Sequence, residues 1–246
     1  AALSHDELSL HYQPIVDIRS GAVVCVEALV RWKHPTQGLL LPHQFLPVAE
    51  ETGLIVPLGG WVIRRACRDA SRWPGGLPVA VNLSAAQLVS AELINTITSA
   101  LEASGLSAER LEIEVTESAL LADRDAALAA LHNIRDLGAS VSLDDFGTGY
   151  SSLTHLKAFK FSRIKIDRAF VEDLTREADS MAIVSALAGL ARGLNMISIA
   201  EGVETDSQLA VLRAAGVAFA QGDLFGRPCP AAELRLTRQM AAVRSA

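Results

Sequence analysis

Five apolar, strand-like runs of this chain contain or end on a carboxylate or its amide. The runs are VVCVEAL, VAVNL, LEIEV, SVSLDD and MISIAE, and their polar residues are Glu27, Asn82, Glu114, Asp144 with Asp145, and Glu201. If the runs are parallel strands of one closed sheet, their carboxyl ends meet on one rim. Neighbouring carboxylates repel one another, so such a rim is stable only when protons are shared or a cation is bound. The pattern predicts a metal-dependent active site.

Extended and helical segments alternate along almost the whole chain of 246 residues. The apolar period predicts strands at 8–18, 22–32, 78–84, 111–117, 140–146, 163–168, 196–201 and 218–222. It predicts helices at 61–73, 91–104, 124–137, 179–194 and 206–215, with stops at Gly105, Gly138, Gly193 and Gly216. Such βα repetition is typical of a parallel sheet with crossover helices.

The first two strand-like runs differ from the others, because only the short stretch Arg19-Ser20-Gly21-Ala22 joins them. This connection is too short for a crossover helix, so we expect an antiparallel hairpin. Size alone would allow one barrel or two smaller domains. About eight strands with an irregular start favour an α/β fold, a modified TIM-like (β/α)8 barrel in a single domain over 1–246. Neither GxGxxG after the first strand nor GxxxxGK[ST] occurs, so the usual nucleotide-binding fingerprints are absent.

Composition limits the binding partners and the cellular location that the chain is expected to have. The chain has 22 basic and 28 acidic residues, a net charge of −6, and dispersed basic residues, which argues against binding a DNA or RNA polymer. Its three cysteines lack CxxC spacing, so we expect reduced thiols and a cytoplasmic location. No uninterrupted apolar stretch reaches the ~18 residues of a membrane span, so we expect no membrane insertion of this segment. Because the chain begins with Ala-Ala, we expect a domain excised from a longer signalling protein, whose other parts could include a membrane anchor.

The strongest local signal is DDFGTGY at 144–150, where two acids end a strand and enter a glycine-rich loop. Successive strand side chains point to opposite faces, so Asp144 and Asp145 can serve one site only where the strand gives way to the loop. The glycines permit that turn. The alternative is an Asp that caps the following helix. Two adjacent acids followed by Gly-x-Gly favour the shared site.

Two further charged residues fall on strands that a helix-covered sheet would bury. Glu114 shares a strand face with Glu112, and because a buried unpaired carboxylate is costly, we expect Glu114 to have a strong partner. Lys165 in RIKID shares a face with Asp167, so it is either half of a structural Lys165–Asp167 pair or a catalytic lysine set among acids. The presence of the other acids favours the second alternative.

The candidate ligands are oxygen donors, with no His or Cys at the strand ends, and such sets suit Mg²⁺ or Mn²⁺. The six histidines are scattered and are interpreted as surface or packing residues. More than four protein ligands exceed what one Mg²⁺ usually takes. Two ions that share a bridging carboxylate fit better, an arrangement used for in-line displacement at phosphorus.

Taken in order, the motifs resemble those of the EAL family of cyclic di-GMP phosphodiesterases. YQPIVD precedes and VRW follows the name-giving Glu27-Ala28-Leu29, and the resemblance continues through FLPVAEETGLI, VNLSAAQL, EVTES, DDFGTGYSSL, IKID, AEGVE and QGDLFGRP. The tripeptide alone would carry no weight, but the ordered set covers nearly the whole chain. That family folds as a modified (β/α) barrel.

The resemblance implies a reaction and a role for each site residue. The reaction is hydrolysis of one phosphodiester bond of cyclic di-GMP to linear pGpG, with two Mg²⁺ or Mn²⁺ ions as cofactors. The implied metal ligands are Glu27, Asn82, Glu114 and Asp144 for the first ion, and Asp144 and Asp145, with Glu201 nearby, for the second. The implied catalytic residues are Glu27, Glu201, Lys165, which orients or deprotonates the attacking water, and Glu117, which holds the DDFGTGY loop. The implied substrate-binding residues are Gln13, Leu29, Arg31 and Gln221.

Alternatives and finer expectations remain open at this point. The chain could be a catalytically silent cyclic di-GMP receptor, although such relatives typically lack some ligands and none is missing here. It could also be an unrelated metal-dependent barrel enzyme acting on a small carbonyl or sugar phosphate. By analogy we expect a homodimer through 151–160 with Phe159 and Phe161, and a parent chain with sensory or GGDEF domains. Asp223 replaces a common aromatic residue, and its charge is expected to affect substrate fit or loop packing.

Overall fold

Ten strands form one sheet, eight of which close into a barrel, in a computed structural model that describes residues 7–121, 123–147, 156, 158–176 and 178–236. The strands are β1 Leu8–Asp17, β2 Val23–His34, β3 Gly38–Leu40, β4 Val79–Leu83, β5 Leu111–Thr116, β6 Ser140–Phe146, β7 Arg163–Ile166, β8 Ile197–Ala200, β9 Phe219–Gln221 and β10 Cys229–Pro230. The helices are α1 Pro42–Glu51, α2 Ile55–Ala70, α3 Ala85–Leu88, α4 Leu93–Ser104, α5 Arg124–Asp136, α6 Arg168–Glu172, α7 Ala178–Gly193 and α8 Asp206–Ala215. Short 3-10 turns lie at Pro74–Gly76, Ala108–Arg110 and Ser118–Leu120.

The barrel is closed by the first two strands. β1 pairs antiparallel with β2 and with β9, whereas β2 pairs parallel with β4, and β4 to β9 follow in parallel order. The Asp17 carboxylate fixes the β1–β2 turn by accepting hydrogen bonds from the backbone N–H groups of Arg19, at 3.0 Å, and Ser20, at 2.7 Å. The modified (β/α)8 barrel with an antiparallel first strand is confirmed.

The eight predicted barrel strands are all present, but several short elements were not predicted. β3 and β10 have three and two residues, too few for a period to be read. α1 contains Pro47 and α2 begins six residues before its predicted start, at Ile55, in a stretch with one proline and two glycines. Gly105 and Gly216 end their helices in the left-handed conformation as expected, whereas after α7 the left-handed residue is Asn195 rather than Gly193.

The two faces of β5, β6 and β7 have opposite character. Leu111, Ile113 and Val115 of β5 face outward and belong to the main apolar core, together with Val141, Leu143 and Ile164 of the next two strands. The alternate residues face the barrel interior and are polar: Glu112, Glu114, Ser142, Asp144, Arg163 and Lys165. Beside them, Ile15, Cys25, Ala80 and Ile199 form a small separate apolar cluster. The interior of the barrel is therefore largely polar along three adjacent strands.

Two expectations from composition concern thiols and membrane spans. All three cysteines are free, and Cys25 and Cys67 are buried, as expected. Among the described residues, no helix combines the length and apolar character that crossing a membrane requires.

The turn after β9 depends on a glycine that almost touches another backbone segment. Gly222 has φ +156°, and a Cβ at this position would lie 2.2 Å from the carbonyl oxygen of Val203. The neighbouring chain is held there by hydrogen bonds from Val203 N–H to the Gln221 carbonyl and from Leu224 N–H to the Val203 carbonyl. This close approach fixes the end of β9, where Gln221 lies.

Gly222→Ala should therefore lower the free energy of unfolding by about 3 kcal/mol, because backbone atoms must move to accept the methyl group. Gly38→Ala is the matched control, since Gly38 also has positive φ, +76°, but a Cβ there has no atom within 4 Å. The control should lose only about 1 kcal/mol of backbone strain. Urea denaturation of both variants measures the difference, and equal losses would contradict the close-approach argument.

Candidate active site

A single buried lysine lies at the centre of the acids gathered on the barrel rim. The Lys165 side chain is 1% exposed, and its Nζ lies 2.6 Å from Glu201 Oε1, 3.0 Å from Glu114 Oε2, 3.4 Å from Asp144 Oδ2 and 3.5 Å from Glu27 Oε2. These residues come from five different strands or strand ends, β7, β8, β5, β6 and β2. The convergence expected from the sequence is thus present, and Glu114 has the strong partner that its burial requires.

Asp167, the alternative partner of Lys165, has a different role. Its carboxylate accepts a hydrogen bond from the Ala169 backbone N–H at 2.8 Å and caps the start of α6. The structural Lys165–Asp167 pair considered from the sequence is therefore replaced by a lysine among four other acids. Strand period could not separate the two arrangements, because it specifies a face and not a partner.

Glu27 is held from two sides by side-chain amides. Asn82 Nδ2 donates to Glu27 Oε1 at 2.7 Å, and Gln221 Nε2 donates to Glu27 Oε2 at 2.6 Å. Gln221 Nε2 also donates to Gln13 Oε1 at 3.0 Å, and Gln13 Nε2 donates to the Gly226 carbonyl. Burial alone would raise the pKa of Glu27, but Lys165 and the side-chain amides of Gln221 and Asn82 lower it below its usual range. Glu27 therefore stays ionised more readily than a glutamate in water.

A bulge turns two consecutive acids toward the same rim. The β6–β7 register shifts between Leu143, opposite Ile164, and Phe146, opposite Ile166, so three steps on β6 face two on β7. Asp145 has φ +54°, an unusual left-handed conformation for a residue with a side chain. Asp144, Asp145 and Glu201 consequently offer carboxylate oxygens that all lie within 4.8 Å of one another. Asp145 and Gly147, which has φ +103°, therefore both contribute to the turn that the glycines were expected to permit.

Three other acids of the cluster, Glu114, Glu201 and Asp145, have pKa values shifted toward holding protons. Burial, opposed by Lys165, raises the pKa of Glu114 well above its usual value. Burial raises the pKa of Glu201 to about 8, with Lys165 opposing the shift and Asp144 adding to it. Burial and Asp144 likewise raise the pKa of Asp145. Burial alone would lower the pKa of Lys165, but the surrounding carboxylates raise it well above its ordinary value, so the ammonium stays protonated.

The cluster has the charge and the free oxygen that a divalent cation needs. Four carboxylates face one ammonium, so full ionisation would leave three excess negative charges in a buried space. Glu114 Oε1 is buried and has no hydrogen-bond partner among the described residues. All the donors are carboxylate or amide oxygens, the ligands that Mg²⁺ and Mn²⁺ prefer. The residues present therefore fit these ions.

Two cavities open at this end of the barrel and share Leu29 and Asn82. The polar one, about 430 Å³, is lined by site residues including Gln13, Glu27, Asp144, Lys165, Glu201 and Gln221. The other, about 520 Å³, is mostly apolar and runs between α1, α2 and the ends of β2 and β4. Together they can accept a molecule with one charged and one flat apolar portion on either side of Leu29.

Some predicted site residues lie away from the acids or act through others. Arg31 is buried, and its Nη1 donates to the carbonyl of Val30 at 2.9 Å; neither cavity includes it among its lining residues. Glu117 is buried beyond the end of β5, but the loop it was expected to hold, 148–150, lies outside the described residues. Asp223 lines the polar cavity, and its charge is offset by Arg227 at 2.7 Å.

Two rim residues were not predicted. Arg168 and Glu204 line the polar cavity and form an ion pair at 3.0 Å. Arg168 directly follows the IKID motif and Glu204 is the last residue of AEGVE, so these motifs were the available signal. Both side chains are about half exposed, which makes the pair an adjustable part of the cavity entrance.

Comparisons with known proteins agree on one family. The EAL domain family model matches residues 1–228. The chain is 47% identical over 237 residues to the bifunctional diguanylate cyclase/cyclic di-GMP phosphodiesterase MucR of Pseudomonas aeruginosa, covering 95% of this chain and 35% of that protein. It is 48% identical over 237 residues to the cyclic di-GMP phosphodiesterase NbdA of the same organism, covering 95% and 30%. The solved PaMucR phosphodiesterase in complex with c-di-GMP matches with a TM-score of 0.90 at 47% identity, covering 95% and 96% of the two chains. The chain thus spans about a third of the length of these curated relatives.

Lys165→Met should destabilise the metal-free protein by about 3–5 kcal/mol at pH 8, because it leaves buried carboxylates without their cation. Removing the ammonium raises the pKa of the facing carboxyls further. Groups whose pKa is raised on folding contribute stability that is present at low pH and lost as pH rises through the raised value. The loss should therefore shrink between pH 8 and pH 5.

Lys160→Met provides the matched control, since Lys160 is exposed. Chemical denaturation in EDTA at both pH values gives the free energies. A Lys165→Met loss that is small, or equal at pH 5 and pH 8, would contradict the proposed charge balance.

Proposed function

This chain belongs to the EAL domain family, and on that basis we propose that it hydrolyses one phosphodiester bond of cyclic di-GMP to release linear pGpG. The observation that carries the proposal is the buried Lys165 among four carboxylates at the barrel rim, with the oxygen ligand set complete. A receptor without activity has no need of such a costly arrangement. The MucR and NbdA relatives are named as cyclic di-GMP phosphodiesterases, which supports the same reaction.

The two cavities suit a cyclic dinucleotide better than a mononucleotide. The phosphodiester under attack would lie in the polar cavity above the acids, and a guanine base would enter the apolar cavity beyond Leu29. Gln13, Leu29 and Gln221 are the proposed contacts between the two parts. Arg31 would reach a phosphate only by releasing the Val30 carbonyl, so its proposed role includes a change of rotamer.

The proposed ligands divide into two groups around Asp144. Glu27, Asn82, Glu114 and Asp144 would hold one Mg²⁺ or Mn²⁺, and Asp144, Asp145 and Glu201 a second. When bound, such ions lower the pKa of water and offset charge that develops on the phosphoryl oxygens.

The chain's own residues supply the remaining steps. Lys165, which the surrounding carboxylates keep protonated, would donate hydrogen bonds to the phosphoryl oxygens and stabilise their negative charge. It would also orient the attacking water. Glu201, whose carboxylate lies 2.6 Å from Lys165 Nζ, would hold this ammonium in place. Glu117 would keep the loop after Asp145 in place.

Assembly and setting are further proposals. The chain covers only about a third of the length of these relatives, so we propose a parent protein with sensory or GGDEF domains. A homodimer through 151–160 remains proposed, and most of that segment lies outside the described residues. Phe159 and Phe161 are buried and pack on each other at 4.9 Å, so other residues of the segment would form the contact. The three free thiols suit a reducing, cytoplasmic setting.

Purified protein given cyclic di-GMP with Mg²⁺ or Mn²⁺ should accumulate pGpG, and EDTA should stop the reaction. Glu27→Gln should lower kcat at least about 10³-fold while leaving the protein folded, because it removes one ligand charge without changing size. Glu102→Gln, an exposed position on α4, is the control and should keep full activity. Chromatography of the nucleotides over time measures both.

These measurements distinguish an active phosphodiesterase from a catalytically silent receptor. Retained turnover in Glu27→Gln would overturn the ligand assignment. Binding of cyclic di-GMP by the wild type without any pGpG, under the same metal conditions, would instead favour a silent receptor.

A further inference from the structure

A second buried polar cluster lies inside the barrel beneath the acids. Glu112 is 1% exposed, and its two carboxylate oxygens accept hydrogen bonds from Ser142 Oγ and Arg163 Nη1. Cys25 Sγ lies 3.9 Å from Glu112 Oε2. The Arg163 guanidinium also stacks over the ring of Phe219 with its Cζ 5.5 Å from the centroid. We call Glu112, Ser142 and Arg163 the lower cluster.

The lower cluster repeats the arrangement of the site two residues earlier on the same strands. Glu112 precedes Glu114 on β5, Ser142 precedes Asp144 on β6, and Arg163 precedes Lys165 on β7. Residues two apart on a strand share a face and lie about 6–7 Å apart. The lower cluster therefore connects the same three strands whose next inward residues must meet at Lys165 Nζ.

We propose that Glu112, Ser142 and Arg163 are positioning residues, which hold β5, β6 and β7 in the relative register that brings Glu114 and Asp144 onto Lys165. The contacts at stake are those of Lys165 Nζ with Glu114 Oε2, at 3.0 Å, and with Asp144 Oδ2, at 3.4 Å. Parallel strands are tied by backbone hydrogen bonds, but the β6–β7 ladder is interrupted by the bulge just above Leu143. Just below the bulge, the side-chain contacts of the lower cluster therefore fix the strand register that the interrupted backbone hydrogen bonds leave open.

The lower cluster also limits charge beneath the site. Without Arg163, Glu112 would place an unpaired buried carboxylate on the same strand face as Glu114. A buried charge left without its partner is strongly unfavourable, so neighbouring strands shift or admit water to relieve it. Either response displaces the ligands above.

The inference rests on the proposed function only for its kinetic consequence, because its first consequence is for metal affinity. Arg163→Met should weaken Mn²⁺ binding about 10-fold to 100-fold, the usual range for residues that support metal ligands. It should also lower kcat for cyclic di-GMP up to about 10²-fold, with KM changed far less, because misplacing reacting groups by about 1 Å has that effect. Isothermal titration with Mn²⁺ and steady-state kinetics, on protein shown by circular dichroism to be folded, measure the two.

Two further variants separate positioning from stability. Glu112→Gln/Arg163→Met removes both charges, so no buried carboxylate is left unpaired, and yet the β5–β7 contact is gone; it should still bind Mn²⁺ about 10-fold more weakly than wild type. Arg110→Met is the matched control just outside the barrel, where Arg110 donates to the carbonyls of Ala70, at 2.7 Å, and Leu77, at 3.0 Å. The control should lose stability and keep wild-type Mn²⁺ affinity and kcat.

Wild-type Mn²⁺ affinity in the folded double variant would overturn the inference, as would equal losses in Arg110→Met. A wild-type protein that binds Mn²⁺ but does not hydrolyse cyclic di-GMP would refute the proposed function alone. In that case the Mn²⁺ titrations still decide the positioning role. A wild-type protein with no Mn²⁺ affinity would overturn both.

Discussion

The interaction on which the site depends is one buried ammonium shared by more carboxylates than it can neutralise. Lys165 contacts four acids within 3.5 Å, and burial makes each unpaired charge costly. The chain meets this cost in three ways. Amides from Asn82 and Gln221 stabilise one ionised acid, Glu27; raised pKa values let Glu114 and Glu201 hold protons; and Glu114 Oε1 remains free for a cation. The same excess of negative charge therefore determines both the stability of the metal-free site and its capacity to bind a metal ion.

This excess also explains why the site is built on strand ends instead of loops. A cluster of like charges pushes its members apart, so it persists only where the backbone cannot yield. Strands β2, β5, β6, β7 and β8 are fixed by ladder hydrogen bonds and by outward apolar side chains packed under helices. The β6–β7 ladder is broken at Asp144 and Asp145, where two consecutive residues must face the same way. This irregularity lies at a position where regular alternation could not serve the chemistry.

Much of this could be predicted from the sequence because strand ends, alternation and glycine stops are local signals. The eight barrel strands, the opening hairpin and the set of rim acids all follow from such signals. Other features depend on neighbours that are distant in sequence. Strand period placed Lys165 and Asp167 on one face but could not show that Asp167 caps α6 while Lys165 turns to four acids. The glycines after Asp145 indicated a turn, and Gly147 does have a positive φ of +103°, but the bulge also requires a positive φ at Asp145, which no local signal predicts.

Glu112 shows that the strand face of a charged residue does not determine which contacts it makes. From the sequence it shares a face with Glu114, and nothing local distinguishes the two carboxylates. In the fold, a step of two residues along β5 separates Glu114, which faces Lys165, from Glu112, which is enclosed by Ser142 and Arg163. Arg163, two places before Lys165, makes the difference. Its guanidinium neutralises Glu112, so Lys165 pairs with the acids at the rim. The depth of a charged residue along a barrel strand, and not only its face, thus determines whether its charge stabilises the scaffold or remains available for chemistry.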